Sequence, residues 1–175
     1  MTVRRKHIRD LTLEILQKHE VKSAPVDVLK VAQGMGLEVR KHEAEDDISG
    51  FLFRDSKHAV GVIGINSRQG LARQRFTVAH EIGHHLLHSH ARIHVDRGYE
   101  IKHRDNKSKE GTDVDEKEAN LFAAELLMPE HFLARDLAKF GSIDLADEEA
   151  LKDLAKMYKV SPLALAFRLA YLGSS

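Results

Sequence analysis

The sequence predicts an α+β fold, in which a small, mostly antiparallel sheet packs against helices and a C-terminal helical segment follows. Apolar residues recur three and four positions apart near the N terminus and again from Leu71 onward, which is typical of amphipathic helices. Between these stretches lie three short runs with the composition of strands. We expect one domain over residues 1–175, divided into N-terminal helices (1–36), a small sheet (37–66), two helices joined by a long loop (70–129) and C-terminal helices (142–172).

The N-terminal segment predicts two helices. Apolar residues at helical spacing indicate the first over residues 3–19. The second is expected to begin at Ser23 and Pro25, because proline is favoured in the first turn of a helix. It should end at the GMG sequence of residues 34–36, since glycine commonly ends helices.

Three strands are expected next. LEVRK (37–41) alternates, ISGFLF (48–53) is apolar, and AVGVIGIN (59–66) alternates β-branched residues with glycine. The polar sequence RDSKH between the last two runs is short, as a hairpin turn should be. These two strands are therefore expected to pair antiparallel.

The stretch FTVAHEIGHHLLHSH, residues 76–90, holds five of the twelve histidines, a density that helix propensity does not explain. Apolar spacing places its first part on a helix of about five turns. Within it, His80, Glu81 and His84 form the pattern H-E-x-x-H. Residues four apart project from the same helix face, so the two imidazoles can hold one ion. The chain has no cysteine, so this predicted zinc site cannot use thiolates.

Glu81 is expected to be the general base of this site. On a helix it is rotated about 100° from His80, which places it beside the ion and not on it. Zinc lowers the pKa of a bound water to about 7, so a neighbouring carboxylate can take its proton at neutral pH. The spacing therefore predicts hydrolytic chemistry.

The third zinc ligand has several candidates, because a catalytic site usually has three protein ligands. His90 stands where the metzincin pattern places its third histidine, but Leu87 replaces the glycine that turns the chain in that class. His88 lies two turns from His80 and is too far along the helix axis to share its ion. Neither histidine is favoured.

A second strong helix, DVDEKEANLFAAELLMP (113–129), is the better source of the third ligand. Glu116 and Asn120 lie four apart on one face, so Glu116 can bind the ion while Asn120 reaches the outer nitrogen of a ligating histidine. Glu118 is the rival, and it points about 200° away from Glu116.

The remaining acids of this helix are expected to lie at its start, where negative charge suits the helix dipole. They are Asp113 and Asp115, either of which can cap the helix, and Glu118. The polar run of residues 90–113 is expected to be a long loop. The helix has an apolar stripe and ends at a proline: Ala119, Phe122, Ala123, Leu126 and Pro129. Two further helices are expected in the tail, over residues 147–158 and 162–172. The second of them is expected to start at Ser161 and Pro162.

RQRFTVAHEIGHHLLH (73–88) followed by EKEANLFAAELLMP (116–129) resembles the ImmA/IrrE family of metallopeptidases, a gluzincin-type group. In that family E-x-x-A-N/D leads into a helix that ends in L-L-M-P, and Glu116, Ala119 and Asn120 occupy those places. The resemblance favours Glu116 over Glu118 as the ligand. VDVLKVAQGMGLEV, ISGFLF, GVIGIN and YKVSPLALAFRLAYLG also resemble the family, so the likeness spans nearly the whole chain.

The resemblance implies a zincin-like fold and a zinc-dependent endopeptidase that cleaves a protein. Members of the family cleave, or are thought to cleave, helix-turn-helix repressors of phage, mobile-element or stress genes. Here His80, His84 and Glu116 would hold Zn²⁺ and Glu81 would be catalytic. The expected partner is a helix-turn-helix repressor encoded nearby. At this length the chain is expected to lack the additional helix-turn-helix or sensor-like domain of some relatives, and its unusually charged run of residues 90–113 does not align with the family motifs quoted above.

Charge and hydropathy limit the possible location and binding partners of the protein. Lysine plus arginine and aspartate plus glutamate number 27 each, so nothing draws the chain to nucleic acid or an anionic membrane. The charged first thirty residues are unlike a signal peptide, and no window is apolar enough for a membrane span. A cytoplasmic protein that binds neither membrane nor nucleic acid is expected.

Two alternatives remain open from the residues. LAKMYKVSPLALAFRL resembles half of a DNA-binding helix-turn-helix with Arg168 on its second helix, although apolar residues on most sides suggest that this helix is buried. A metal-storing or metal-sensing module would use the many histidines, including His94, but would not require Glu81.

Two features of the predicted peptidase site are less defined. The oxyanion-stabilising residue is open among Tyr99, His90 and His103. The AVGVIGIN strand is expected to offer an edge to an extended substrate segment.

Overall fold

The computed structural model describes residues 2–55, 60–88, 93–97, 109–140 and 148–174. It confirms the α+β class, with helices on a mixed sheet and helices at the C-terminal end. The elements in chain order are α1 (Arg5–Lys18), α2 (Val28–Gly34), β1 (Leu37–His42), β2 (Ile48–Asp55), β3 (Val60–Asn66), α3 (Leu71–Leu87), β4 (Ile93–Arg97), α4 (Lys109–Leu127), α5 (Glu130–Phe140), α6 (Glu148–Tyr158) and α7 (Pro162–Gly173).

The described strands form one sheet in the order β1-β3-β2-β4. β1 pairs with β3 in parallel, whereas β2 pairs antiparallel with both β3 and β4. The three predicted strands and the mostly antiparallel arrangement are therefore confirmed. The predicted hairpin turn between β2 and β3 falls on residues 56–59, outside the described residues.

The prediction that residues 90–113 form a continuous loop is wrong. β4 lies within that run and pairs with β2, with Val95 opposite Phe51 and Ile93 opposite Phe53. The sequence IHVDR does alternate, but its two charged residues weaken the strand signal, and a partner strand about 40 residues earlier stabilises it. This strand occupies one edge of the described sheet.

The core lies between the sheet, α3 and α4. α3 packs against β2 and β3 with one side and against α4 with another. Each large apolar side chain that is fully buried here contributes about 1.5–3 kcal/mol to folding, relative to the same side chain left exposed. The buried apolar residues of this layer include Leu52 and Ile63 from the sheet, Val78, Ala79 and Ile82 from α3, and the predicted stripe of Ala119, Phe122, Ala123 and Leu126 from α4.

The start of α2 differs from the prediction. The helix begins at Val28, and Asp27 is its N-cap, with the Asp27 carboxylate accepting a hydrogen bond from the Lys30 backbone N–H at 3.1 Å. Pro25 lies before the helix and not in its first turn. Gly36, with φ of 75°, occupies the left-handed conformation just after the helix, so the predicted glycine stop is confirmed.

The start of α4 also differs, because the helix begins at Lys109 and not at Asp113 or Asp115. Both aspartates therefore lie inside the helix, where Asp113 pairs with Lys117 one turn later at 2.5 Å. The helix ends at Leu127, two residues before Pro129, as predicted. α5 was not predicted, although Phe132 and Leu133 are buried and its apolar residues have helical spacing.

Both predicted tail helices are confirmed, and Ser161 caps α7 by accepting a hydrogen bond from the Ala164 N–H. Arg168 is buried and forms a two-pronged pair with Glu125 of α4 at 2.9 and 2.6 Å. This pairing makes Arg168 unavailable to a DNA backbone, so the DNA-binding alternative loses its basic residue. The expectation that this last helix is buried on most sides is wrong at Leu163 and Phe167, which are 66% and 67% exposed. No helix among the described residues is long and apolar enough to cross a membrane.

Candidate metal centre

The two motif histidines of α3 face each other across one turn of the helix. Nε2 of His80 lies 3.0 Å from Nε2 of His84, and both side chains are buried. The helix presents this face inward because Val78, Ala79 and Ile82 beside the motif pack into the core. The predicted pair of imidazoles is therefore assembled with both Nε2 atoms converging.

Glu116 reaches the same point from α4, as predicted. Its carboxylate oxygens lie 3.5 Å from His80 Nε2 and 3.3 Å from His84 Nε2. The side chain keeps 31% of its surface exposed, so the centre opens to solvent on the α4 side. These three predicted ligands converge on one small volume.

Asn120 lies one turn beyond Glu116 and orients His80. Its Oδ1 is 3.0 Å from Nδ1 of His80, so that Nδ1–H donates to the amide oxygen and Nε2 is the nitrogen that faces the centre. Hydrogen bonds of this kind on the outer nitrogen hold ligating histidines in place. This contact agrees with the role predicted for Asn120 from its spacing.

His94 of β4 joins the centre, although it was not predicted as a ligand. Its Nε2 lies 2.9 Å from Oε1 of Glu116, and its Nδ1 lies 3.2 Å from Oε2 of Glu81. The ring stacks on His84 with centroids 3.7 Å apart. The alternation of IHVDR is the available signal, since it puts His94 and Asp96 on one face and the exposed Ile93 and Val95 on the other.

Glu81 is fully buried beside the histidines, and burial raises its pKa. Its Oε2 is engaged by His94, whereas its buried Oε1 has no hydrogen-bond partner among the described residues. Asp96 lies close to both Glu81 and His80 and pairs with Arg73 at 3.5 Å. A buried carboxylate oxygen without a partner costs free energy unless a ligand or water binds it.

The donor set fits a zinc-like ion. Ligand atoms of His80, His84, His94 and Glu116 all lie within 4.8 Å of one another, and imidazole nitrogen with carboxylate oxygen is a common zinc environment. The three imidazoles share one carboxylate, that of Glu116. Burial raises the pKa of Glu116, but hydrogen bonds from the three histidines outweigh it and hold this pKa far below its usual range.

The histidines of the centre also have different pKa values, because burial and hydrogen bonding to carboxylates affect each of them to a different extent. Burial, with hydrogen bonding to Glu116 only partly opposing it, lowers the pKa of His84 to about 4. Burial also disfavours the charged form of His94, but its hydrogen bonds to Glu116 and Glu81 outweigh that and raise its pKa to about 10. A divalent ion would replace this unequal sharing of charge with a ligand common to all the side chains.

The prediction that Glu118 merely decorates a helix start is wrong. Glu118 is 1% exposed and accepts hydrogen bonds from the Arg4 backbone N–H at 2.8 Å and from its guanidinium at 2.5 Å. These bonds lower the pKa of Glu118 to about 2. Glu118 also lies 3.1 Å from His88, whose other nitrogen is 3.2 Å from Nδ1 of His84. Glu118 therefore acts on the centre indirectly, because it positions His88, which in turn contacts His84.

Other predicted residues lie elsewhere. His90, Tyr99 and His103, named as possible oxyanion-stabilising residues, fall outside the described residues. His88 contacts His84 but does not join the four converging donors, as its distance along the helix predicted. The expectation that the AVGVIGIN strand offers a free edge is wrong, because β3 is paired on both sides, with β1 and with β2.

The fold and this donor set define a class: an α+β domain with an H-E-x-x-H helix and a glutamate on the next long helix. The sequence profile of the IrrE N-terminal-like domain, Peptidase_M78, matches residues 32–170. The chain belongs to this family. The suspected resemblance to the ImmA/IrrE group is confirmed.

Two relatives carry the name radiation response metalloprotease IrrE. The protein from Deinococcus radiodurans is 36% identical over 115 residues, which are 66% of this chain and 32% of that protein. The protein from Deinococcus deserti is 36% identical over 109 residues, which are 62% of this chain and 36% of that protein. The match thus spans about a third of the length of either relative.

The fold is also found among solved structures. A transcriptional regulator from Mycobacterium tuberculosis aligns with a TM-score of 0.63 over 94% of this chain and 47% of that protein. The sequence identity is 13%, so the likeness concerns the arrangement of the backbone alone.

Proposed function

We propose that this protein is a zinc-dependent endopeptidase that hydrolyses a peptide bond in a protein substrate. One observation carries the proposal. The buried Oε1 of Glu81 has no partner among the described residues and lies beside the converging donors of His80, His84 and Glu116. A module that only stored or sensed metal would have no use for this carboxylate.

Each residue then has a separate role. His80, His84 and Glu116 would hold the ion, which would supply Lewis-acid polarisation of the scissile carbonyl and of the attacking water. Glu81 Oε1 accepts a proton from that water, and its burial keeps the carboxylate basic enough to do so. Asn120 and the chain of His88, Glu118 and Arg4 keep the histidines in place.

The proposed substrate is a helix-turn-helix transcriptional repressor of phage, mobile-element or stress genes, encoded nearby. Support comes from the family resemblance of the two helical motifs and from relatives named for a radiation response. The neutral net charge is compatible with a protein substrate and gives no reason to expect nucleic acid.

An extended segment of the substrate would pair with β4 and not with β3. β4 is an edge strand of the described sheet, and its His94 already contacts both Glu81 and Glu116. An added strand gains backbone hydrogen bonds while its side chains provide selectivity. Pairing there would bring a peptide bond close to Glu81.

The test uses Glu81→Gln, which keeps the side-chain volume and removes the base. Zinc content and circular dichroism should match the wild type, while cleavage of the repressor encoded next to this gene should fall by at least about 10²-fold in turnover. Asp113→Asn, which changes an α4 carboxylate that is 40% exposed and pairs with Lys117, is the matched control and should cleave normally. Undiminished cleavage by Glu81→Gln would remove the peptidase proposal.

A further inference from the structure

His94 has the geometry of a metal ligand and not only of a neighbour. Its Nε2 is one of the four donor atoms that lie within 4.8 Å of one another, together with those of His80, His84 and Glu116. Only 2.9 Å separates it from the Glu116 oxygen that also approaches His84. Three imidazoles and one carboxylate would fill the four positions that zinc usually has in a closed site.

The contact of the outer nitrogen of His94 also supports a role as a metal ligand. Nδ1 lies 3.2 Å from Glu81 Oε2, as Nδ1 of His80 lies 3.0 Å from Asn120 Oδ1. In each case an oxygen on the outer side favours the tautomer with Nδ1–H and leaves the Nε2 lone pair directed at the centre. His94 thus repeats the arrangement of a residue already placed in the donor set.

From this geometry we infer that His94 is a fourth protein ligand, so that the metal centre is closed in this conformation and opens only when β4 withdraws His94. The inference rests on the proposed metal site. Withdrawal would free two things at once: the position beside the ion that water needs, and the Oε2 atom of Glu81, which His94 now holds. The resting protein would then be restrained from cleaving arbitrary chains.

β4 is suited to such a movement. It has five residues, lies at one edge of the described sheet and pairs there with β2. Its outward residues Ile93 and Val95 are 59% and 44% exposed, so the core does not hold that face of the strand. A substrate segment that paired with the β4 edge left unpaired among the described strands could shift the strand and His94 together.

The first experiment measures the zinc environment of the wild-type protein directly. X-ray absorption on the zinc-loaded, substrate-free protein should show three imidazoles and one carboxylate. Two imidazoles, one carboxylate and a water would overturn the inference while leaving the proposed function intact. Failure to bind zinc at all would instead remove the proposed function.

The second experiment compares His94→Ala with Val95→Ala, a neighbour on the same strand that faces away from the centre. Removal of a ligand should weaken zinc affinity by more than about 100-fold, beyond the 10- to 100-fold typical of an outer partner. In the cobalt-substituted protein, acetohydroxamate should change the visible spectrum of His94→Ala at concentrations at least about 10-fold lower than in the wild type or Val95→Ala. Equal affinities and equal hydroxamate responses in all three proteins would contradict a closed centre.

Discussion

A Cβ placed on Gly83 would lie 3.2 Å from the Cα atom of Ala119 and 3.1 Å from Cδ1 of Phe122. The backbones of α3 and α4 therefore lie close together inside the H-E-x-x-H sequence. This contact explains a glycine at a helical position where it costs about 1 kcal/mol relative to alanine. The same contact sets the distance between the histidines of α3 and Glu116 of α4.

Gly83→Val should push the two helices apart. We expect the free energy of unfolding to fall by about 1–3 kcal/mol, since overpacking a buried contact has that cost. Zinc affinity should fall as well, because Glu116 moves with α4. Gly173→Val is the control, as no atom lies within 4 Å of the added Cβ there. Isothermal titration and urea unfolding give both quantities, and unchanged zinc affinity would show that α4 does not set the ligand distance.

Metal removal should lower thermal stability. The donors come from α3, β4 and α4, so an ion that binds only the folded arrangement stabilises it. At free zinc about 100-fold above the dissociation constant, the stabilisation is about 2.7 kcal/mol. Calorimetry with and without a chelator measures it. His84→Ala should show no such difference, whereas His131→Ala, exposed on α5, should behave as the wild type.

Glu116→Gln and Glu118→Gln should differ in their effect on zinc binding. Glu116→Gln should weaken zinc binding strongly, and it should also lower the free energy of unfolding of the metal-free protein at neutral pH, because the hydrogen bonds of three histidines to its charged carboxylate are lost. Glu118→Gln should keep one zinc per chain but lower the free energy of unfolding by about 1–3 kcal/mol, because a buried charged hydrogen bond to Arg4 is lost. Metal analysis separates the two variants and denaturant unfolding measures the loss of stability in each. Loss of zinc by Glu118→Gln and retention of zinc by Glu116→Gln would exchange their roles.

Asp136 should contribute acid-dependent stability away from the metal centre. Burial would raise its pKa, but hydrogen bonds from Arg135, Lys139 and Tyr158 outweigh burial and lower the pKa from 3.8 to about 2. The contribution is therefore present above about pH 4 and is lost as the pH falls through 2. At pH 7, Asp136→Asn should cost about 1–2 kcal/mol.

Unfolding of the metal-free proteins at several pH values tests this dependence. The difference between wild type and Asp136→Asn should narrow as the pH falls from about 4 toward 2. A constant difference across that range would show that the carboxylate charge is not responsible. Lys152→Met, an exposed residue of α6 in a surface ion pair, is expected to alter stability by less than about 1 kcal/mol.

The sequence predicted those parts of the centre that depend on local periodicity. His80, Glu81 and His84 lie on one helix, so their relative directions follow from 3.6 residues per turn, and the same applies to Glu116 and Asn120. His94 was missed as a ligand because its position depends on the register of β4 against β2, which no local pattern sets. Glu118 was misjudged because its partner, Arg4, is 114 positions away.

All four donors lie between residues 80 and 116, so a bound ion closes one short loop of the chain. Such a closure restricts the conformational entropy of that segment alone, because α1, α6 and α7 lie outside residues 80–116. Loss of the ion should therefore open one cooperative unit before the rest. Amide hydrogens at the junction of α3, β4 and α4 would exchange faster in the metal-free protein, while those of α6 and α7 would keep their protection.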